Sequence, residues 1–218
     1  MERPSLGAAL HSIEAQQGEQ TAEVLVASAC GADHSPLPQR LGRHTLRLLH
    51  DNRRLTRPEA ANLGLRNATA PVIAFLDDDD ELLPDHFAVL SGALQQRPDV
   101  AFVYGISCVT DARGQVLRLY GEPFVPSRML VAGHFAMGSF LMRRGLVEGG
   151  VRFDEALEVL EDLEFFAQCA QRSEMLFVPR PVHRYNIEAG SSGTGTQTAE
   201  RALAVRTALA HIHGKWRK

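Results

Sequence analysis

An α/β sandwich, with a mostly parallel central sheet flanked by helices, is the fold class that this 218-residue sequence predicts. Two observations carry the prediction. AEVLVAS (22–28), VIAFL (72–76), VAFVYGI (100–106) and MLFVP (175–179) are short, largely β-branched or aromatic runs of the kind buried on both faces of a parallel sheet. Between them lie segments with the apolar spacing of helices, and such alternation marks a layered α/β architecture.

The elements follow in order. Residues 5–16, 57–68 and 84–96 carry helical periodicity, and Pro58 and Pro84 stand where a first-turn proline belongs. Near the end, AGSSGTGT (189–196) is the one low-complexity piece, and an amphipathic pattern follows over about 198–213. That piece lacks the Gly-Lys-Ser/Thr ending of a phosphate loop, so it reads as a flexible linker or as a lid over a ligand. The chain divides into one domain over 1–190 and a Gly/Ser/Thr-rich loop with a closing helix over 191–218.

Composition narrows the function classes. A formal net charge of -3 leaves no broad basic face for a nucleic-acid backbone. Cys30, Cys108 and Cys169 are far apart, odd in number and in no metal-ligand spacing, which reads as core thiols in a reducing compartment. No apolar run approaches the ~18 residues of a membrane span, and no basic-then-apolar leader opens the chain. A cytoplasmic location is expected, with the basic end HIHGKWRK available to touch an anionic inner membrane face.

The stretch VIAFLDDDDELLPD (72–85) sets four consecutive aspartates directly after an apolar run. Neighbouring like charges repel, and carboxylates near a low-dielectric core lose hydration, so the arrangement asks for a positive partner. In open α/β sheets ligands bind beyond the carboxyl ends of the strands, where Asp77 to Asp80 emerge. Hard divalent cations such as Mg2+ or Mn2+ prefer carboxylate oxygens and would relieve the repulsion. Capping of the helix near Pro84 is an equal explanation for Asp80 and Glu81, but a cap accounts for one acid and not four.

The run ANLGLRNATAPVIAFLDDDDELLPDHF (61–87) resembles the central signature of family 2 glycosyltransferases of the GT-A fold, an Asn-x-Gly-x-x-x-Ala helix before a strand ending in Leu-Asp-x-Asp-Asp. FDEALEVLEDLEFFAQCAQR (153–172) resembles the family's later Phe-Asp-Glu and Glu-Asp elements, in the right order and at ordinary spacing; the likeness covers roughly residues 10–190. It implies a GT-A nucleotide-diphospho-sugar domain and a metal-dependent, inverting transfer of a sugar to an acceptor hydroxyl. Asp77, with Asp78 and Asn62, would face the nucleotide side of the donor. Asp79 would ligate Mg2+ or Mn2+ at the diphosphate, and Asp162 of the Glu161-Asp162 pair would be the catalytic base.

The second block has its own pattern. At about 100° per residue, Leu163, Phe165, Phe166, Ala167, Cys169 and Ala170 share one side of a helix, and Glu161, Glu164, Gln168, Gln171 and Arg172 share the other. Asp162 points to the apolar side, as a site residue or as an N-terminal cap.

The sequence also departs from the family. The strand that usually opens the domain has no counterpart before the first helix, so strand edges are expected to be open and a homo-oligomer could cover them. Ser28 and Ala29 stand where paired aspartates usually hold the base, and Ala61 replaces an arginine. Three readings follow: a transferase, a non-catalytic binding or assembly module of the same fold, or a nucleotidyltransferase, which would need a glycine-rich basic loop near the start. His134 and His183 flank the expected cleft, and a late histidine often sits near the family's metal, which makes His183 a candidate ligand. Arg180 and Arg184 share its loop and could meet diphosphate charge.

Overall fold

Helix α1 (Pro4–Glu14) carries Leu6, Ala9, Leu10 and Ile13 at three-to-four-residue spacing and buries all four. Leu6, Leu10 and Ile13 pack with Val24, Leu41, Leu46 and Leu82 from the strands beneath. The computed structural model describes residues 4–29, 37–128, 133–187 and 198–216. After α1 come β1 (Glu23–Ala27), β2 (Arg40–Leu41), β3 (His44–Leu49), α2 (Arg57–Asn67), β4 (Val72–Ile73) and β5 (Glu81–Leu82). The chain continues through α3 (His86–Gln96), β6 (Phe102–Thr110), β7 (Val116–Tyr120), β8 (Phe140–Arg143), α4 (Gly145–Glu148), α5 (Glu161–Ala170), β9 (Met175–Asn186) and α6 (Ala199–Trp216). The 189–196 linker or lid lies outside the described residues, as does Cys30.

The strands form two sheets, β1-β3-β2 and β4-β8-β6-β9-β5, with β7 added to β6. Alternation along β6 builds the layers. Phe102 and Tyr104 join Phe140, Met142, the α5 aromatics and Ile212 of α6 on one face, while Val103 joins Leu141, Val182 and the α3 residues Leu90 and Leu94 on the other. Fully burying each of these side chains stabilises the fold by roughly 1.5–3 kcal/mol.

The α/β class is as expected, but the sheet is mixed and not mostly parallel. Among the described residues β1 with β3 and β6 with β9 are parallel, and the other pairings are antiparallel. Burial on both faces makes a strand uniformly apolar whatever its direction; direction is set by connections. The turn from β6 to β7 is tight, with Gly114 at φ 76° and the Asp111 carboxylate accepting from the amides of Arg113 and Gln115, which forces an antiparallel return.

Two element boundaries also differ. Helix α3 starts at His86, leaving Pro84 outside, because Gln16 pins the preceding loop: its amide donates to the Leu83 carbonyl at 2.7 Å and accepts from the Phe87 amide at 3.1 Å. Of VIAFL, only Val72–Ile73 joins a ladder. Within the described residues β4 pairs with β8 alone and β1 with β3 alone, so each sheet ends on an open edge. The Glu23 carboxylate at the start of β1 accepts from the Thr69 amide and hydroxyl just before β4, at 3.3 and 2.9 Å.

Candidate active site

Beyond β4 the chain turns through the aspartates, with the Asp80 amide donating to the Asp77 carbonyl at 3.2 Å. The turn gathers carboxylates: ligand oxygens of Asp77, Asp79 and Asp80 all lie within 4.8 Å of one another. Three converging oxygen donors fit a hard divalent cation, whose remaining positions would be filled by water and phosphate. Asp80 caps nothing. It is 3% exposed, accepts from the Asn186 amide at 2.9 Å, and faces His183 Nε2 at 3.3 Å. The other ring nitrogen of His183 lies 3.0 Å from Ser107 Oγ, so the imidazole stands beside Asp80 with its Nε2 buried and making no hydrogen bond. Gly138 lies flat against that imidazole, where any Cβ would collide with the ring.

Arg57, at the start of α2, joins the two acid blocks. It lies 3.4 Å from Asp77 Oδ2 and 3.4 Å from Glu161 Oε1. Helix α2 is held for this by a capping box, in which Thr56 and Glu59 satisfy each other's backbone amides. Asn62 then ties α2 to the segment leading into α5: its amide donates to Phe153 O and Glu155 Oε1 and accepts from Phe153 N, each at 2.9 Å. Asn62, expected on the donor nucleotide, is therefore a clamp between elements.

Helix α5 begins after Leu160, whose φ of 60° is the one left-handed non-glycine backbone among the described residues. Asp162 is inside the first turn and its carboxylate accepts from the Leu163 amide at 2.8 Å; it is not the N-cap. Loss of hydration raises its pKa, against the opposing pull of that amide and of Arg57. Burial likewise raises Glu161, with Asp162 adding and Arg57 opposing. Asp77 is pushed up to about 6, first by lost hydration and against the pull of Arg57, with Asp80 and Asp79 adding to the rise. Its side chain is still 42% exposed, open to an entering ligand. For Arg57, lost hydration is outweighed by Asp77, Glu161, Asp162 and Asp79, and the guanidinium is held above its ordinary value. Burial raises the pKa of the Tyr185 and Tyr120 phenols, and the charge of Asp162 adds to both rises.

The wet face expected for α5 is exposed only at its end, where Gln171 and Arg172 meet solvent. Glu161 is only 13% exposed in its ion pair, and Glu164 and Gln168 are buried. Glu164 meets α6, where Lys215 Nζ reaches its Oε1 at 2.7 Å and Trp216 Nε1 donates to the same oxygen at 3.2 Å, while the Gln168 amide donates to Arg152 O and Glu164 Oε2. His211 and Lys215 also meet Asp154 at 3.0 and 3.3 Å, so these two residues of the basic end contact the segment before α5. Arg180 pairs with Asp85 and Arg184 with Glu81, outside the gathered aspartates. His134 accepts from the Val125 amide at 3.2 Å beside Phe124. Cys169 is buried, as expected of a core thiol, whereas Cys108 on β6 is half-buried. No helix among the described residues is long and apolar enough to cross a membrane.

Sequence reasoning missed Arg57, Ser107, Tyr120 and Tyr185. One signal was present for Arg57: it lies four residues, one helical turn, before Ala61, the position where the resemblance led us to expect an arginine.

Comparison with known proteins gives the family and the fold. Residues 1–150 match Glycosyl transferase family 2. The succinoglycan biosynthesis protein ExoO of Rhizobium meliloti (strain 1021) is 29% identical over 205 residues, 84% of this chain and 57% of ExoO. S. aureus TarS 1–349, solved in complex with UDP-GlcNAc, superposes at a TM-score of 0.70 with 13% identity, over 95% of this chain and 62% of that one. The mannosyltransferase PcManGT from Pyrobaculum calidifontis, solved with GDP-Man and Mn2+, gives 0.62 with 21% identity, over 98% and 60%. The chain spans little more than half the length of ExoO. With the family match covering 150 of 218 residues, the chain belongs to glycosyl transferase family 2 and has its GT-A fold.

Proposed function

We propose that this domain moves a sugar from a nucleotide-diphospho-sugar donor to a hydroxyl of a sugar or glycan acceptor, with inversion at the anomeric carbon. The observation that carries the reading is the meeting of two acid blocks around one arginine: Asp77 and Glu161 share Arg57, with Asp79 and Asp162 close enough to feel its charge. Asp79, helped by Asp77 and Asp80, would hold Mg2+ or Mn2+, which when bound supplies positive charge to the departing diphosphate. Asp162 takes the proton from the acceptor hydroxyl as its oxygen attacks the anomeric carbon, and a carboxyl raised above its ordinary pKa is the better base. The nucleoside diphosphate leaves from the opposite face. Tyr120 and Tyr185 would line the acceptor side, and Glu161 would share Arg57 with Asp77.

The test is turnover by Asp162→Asn against a panel of nucleotide sugars and glycan acceptors. A positioned base contributes about 10² to 10⁴ in rate, so turnover should fall by that factor with donor affinity nearly unchanged. Normal turnover in the variant would dismiss Asp162 as the base. A second reading, a non-catalytic binding or assembly module, is favoured by the open edges of β1 and β4. It is the outcome if the wild-type protein binds donor and transfers nothing.

A further inference from the structure

We infer that Arg57 is the resident counter-cation of the acidic crevice and couples divalent-cation binding to diphosphate binding; the inference rests on the metal-dependent donor site proposed above. Three features lead to it. First, Arg57 occupies the first turn of α2, where a cation opposes the helix dipole. The helix therefore gives no reason for it, whereas the acids facing it do.

Second, the guanidinium lies 3.4 Å from Asp77 Oδ2 and 3.4 Å from Glu161 Oε1. Both distances exceed the roughly 2.7–2.9 Å of a strong charge-assisted bond, so Arg57 is shared between the two acids and tightly bound to neither. Its side chain is also 47% exposed, within reach of an incoming anion. Of its two contacts the one to Asp77 is the more exposed, and an exposed ion pair is given up for another anion at little cost.

Third, the acid that Arg57 holds, Asp77, is one of the three whose oxygens gather within 4.8 Å, and the arginine charge is felt by a second, Asp79. A divalent cation entering alone meets that positive charge beside its ligands. A diphosphate brings the negative charge and the paired oxygens that a guanidinium fork prefers, drawing Arg57 off Asp77 and freeing the carboxylate for the cation. Cation and diphosphate therefore favour each other through Arg57, and by linkage the favour is reciprocal. Arg57 is a positioning residue in this account, and it sets the condition under which the metal enters.

The experiment is calorimetric titration of Mn2+ into the wild-type protein, Arg57→Gln and Arg57→Lys, each with and without inorganic pyrophosphate. Association of Mn2+ with pyrophosphate in solution is common to all three, so the comparison is between proteins, and far-UV circular dichroism checks the fold of each. In the wild type Mn2+ should bind at least tenfold more tightly with pyrophosphate present. In Arg57→Gln, Mn2+ alone should bind several-fold more tightly than in the wild type, and the gain from pyrophosphate should shrink by about tenfold. Arg57→Lys keeps the charge but not the fork, and should keep the weak binding of Mn2+ alone while losing part of the gain. If all three took up Mn2+ with the same affinities, Arg57 would have no part in the coupling and the metal site would stand. If the wild type and both variants failed to take up Mn2+ under either condition, the metal site would fall and this inference with it.

Discussion

His183 Nε2 lies 3.3 Å from Asp80 Oδ2, and both side chains are buried. The opposite ring nitrogen lies 3.0 Å from Ser107 Oγ on β6, so a line of three buried polar groups runs from the sheet interior to the acidic turn. Asp80 is thereby held between this imidazole and the Asn186 amide, which donates to its other oxygen at 2.9 Å.

Removing the imidazole should therefore cost stability as well as ligand affinity. His183→Ala leaves an Asp80 oxygen and the Ser107 hydroxyl buried without partners and opens a cavity, at an expected cost on the order of 2–4 kcal/mol. Ser107→Ala should cost about 1 kcal/mol. Urea unfolding checks both, and an unchanged midpoint for His183→Ala would show that the line of contacts holds nothing.

The pH dependence of cation binding follows from Asp77. Lost hydration pushes its carboxyl up to about 6 from an ordinary 3.8, so between those values the folded state holds a proton that the unfolded state does not. The metal-free protein should therefore gain stability from Asp77 as the pH falls through about 6, and Asp77→Asn should remove that gain. Cation binding runs the opposite way, since a ligand carboxylate must be ionised. Mn2+ affinity should drop between pH 7 and pH 5.5, and an affinity flat across that range would exclude Asp77 as a ligand.

His86 imposes the reverse slope on stability. It is fully buried, with one ring nitrogen 3.0 Å from the Val182 carbonyl, and burial pushes its pKa down to about 3. The unfolded chain takes up a proton below its ordinary 6.5 while the folded chain does not. The stability His86 contributes is thus complete above 6.5 and is lost as the pH falls from there toward 3, by up to ~1.4 kcal/mol per pH unit. His86→Gln should flatten the acid limb of the melting-temperature profile by that component. An unaltered limb would mean that another group carries it.

The closing helix is held by charge. Glu164 is fully buried and Lys215 of α6 stands 2.7 Å from it. Lys215→Met removes the cation and leaves a buried carboxylate with Gln168 and Trp216 as its polar partners. Breaking a buried pair in this way should cost roughly 3 kcal/mol, less whatever the half-exposed lysine retains through solvent. Glu164→Gln combined with Lys215→Met should recover much of the loss. If the double variant were no more stable than the single one, the pair would not be the anchor.

The acidic turn was legible in the sequence because its charge is local: consecutive aspartates after an apolar run need no tertiary information to stand out. The Asp162 helix was legible through its apolar stripe. What escaped was set by distant contacts. Arg57 meets acids from two other elements, and no periodicity on α2 reveals them. Glu164 and Gln168 looked solvated because polar residues on a helix usually are; α6, some fifty residues later, meets Glu164, and the Arg152 backbone takes up Gln168. Asn62 carried the family motif, yet its amide serves the join between α2 and the segment before α5. The mixed sheet escaped because doubly buried strands read alike in either direction.

The central claim is that the aspartates beyond β4 form a cation-dependent site for the diphosphate of a nucleotide sugar. Calorimetry with a panel of nucleoside diphosphates, in Mn2+ and in EDTA, tests it most directly. At least one diphosphate should bind in Mn2+ and should lose tenfold or more of its affinity in EDTA, and Asp79→Asn should abolish the difference while leaving the fold intact. Binding of equal strength in EDTA, or no binding of any member of the panel, would contradict the claim.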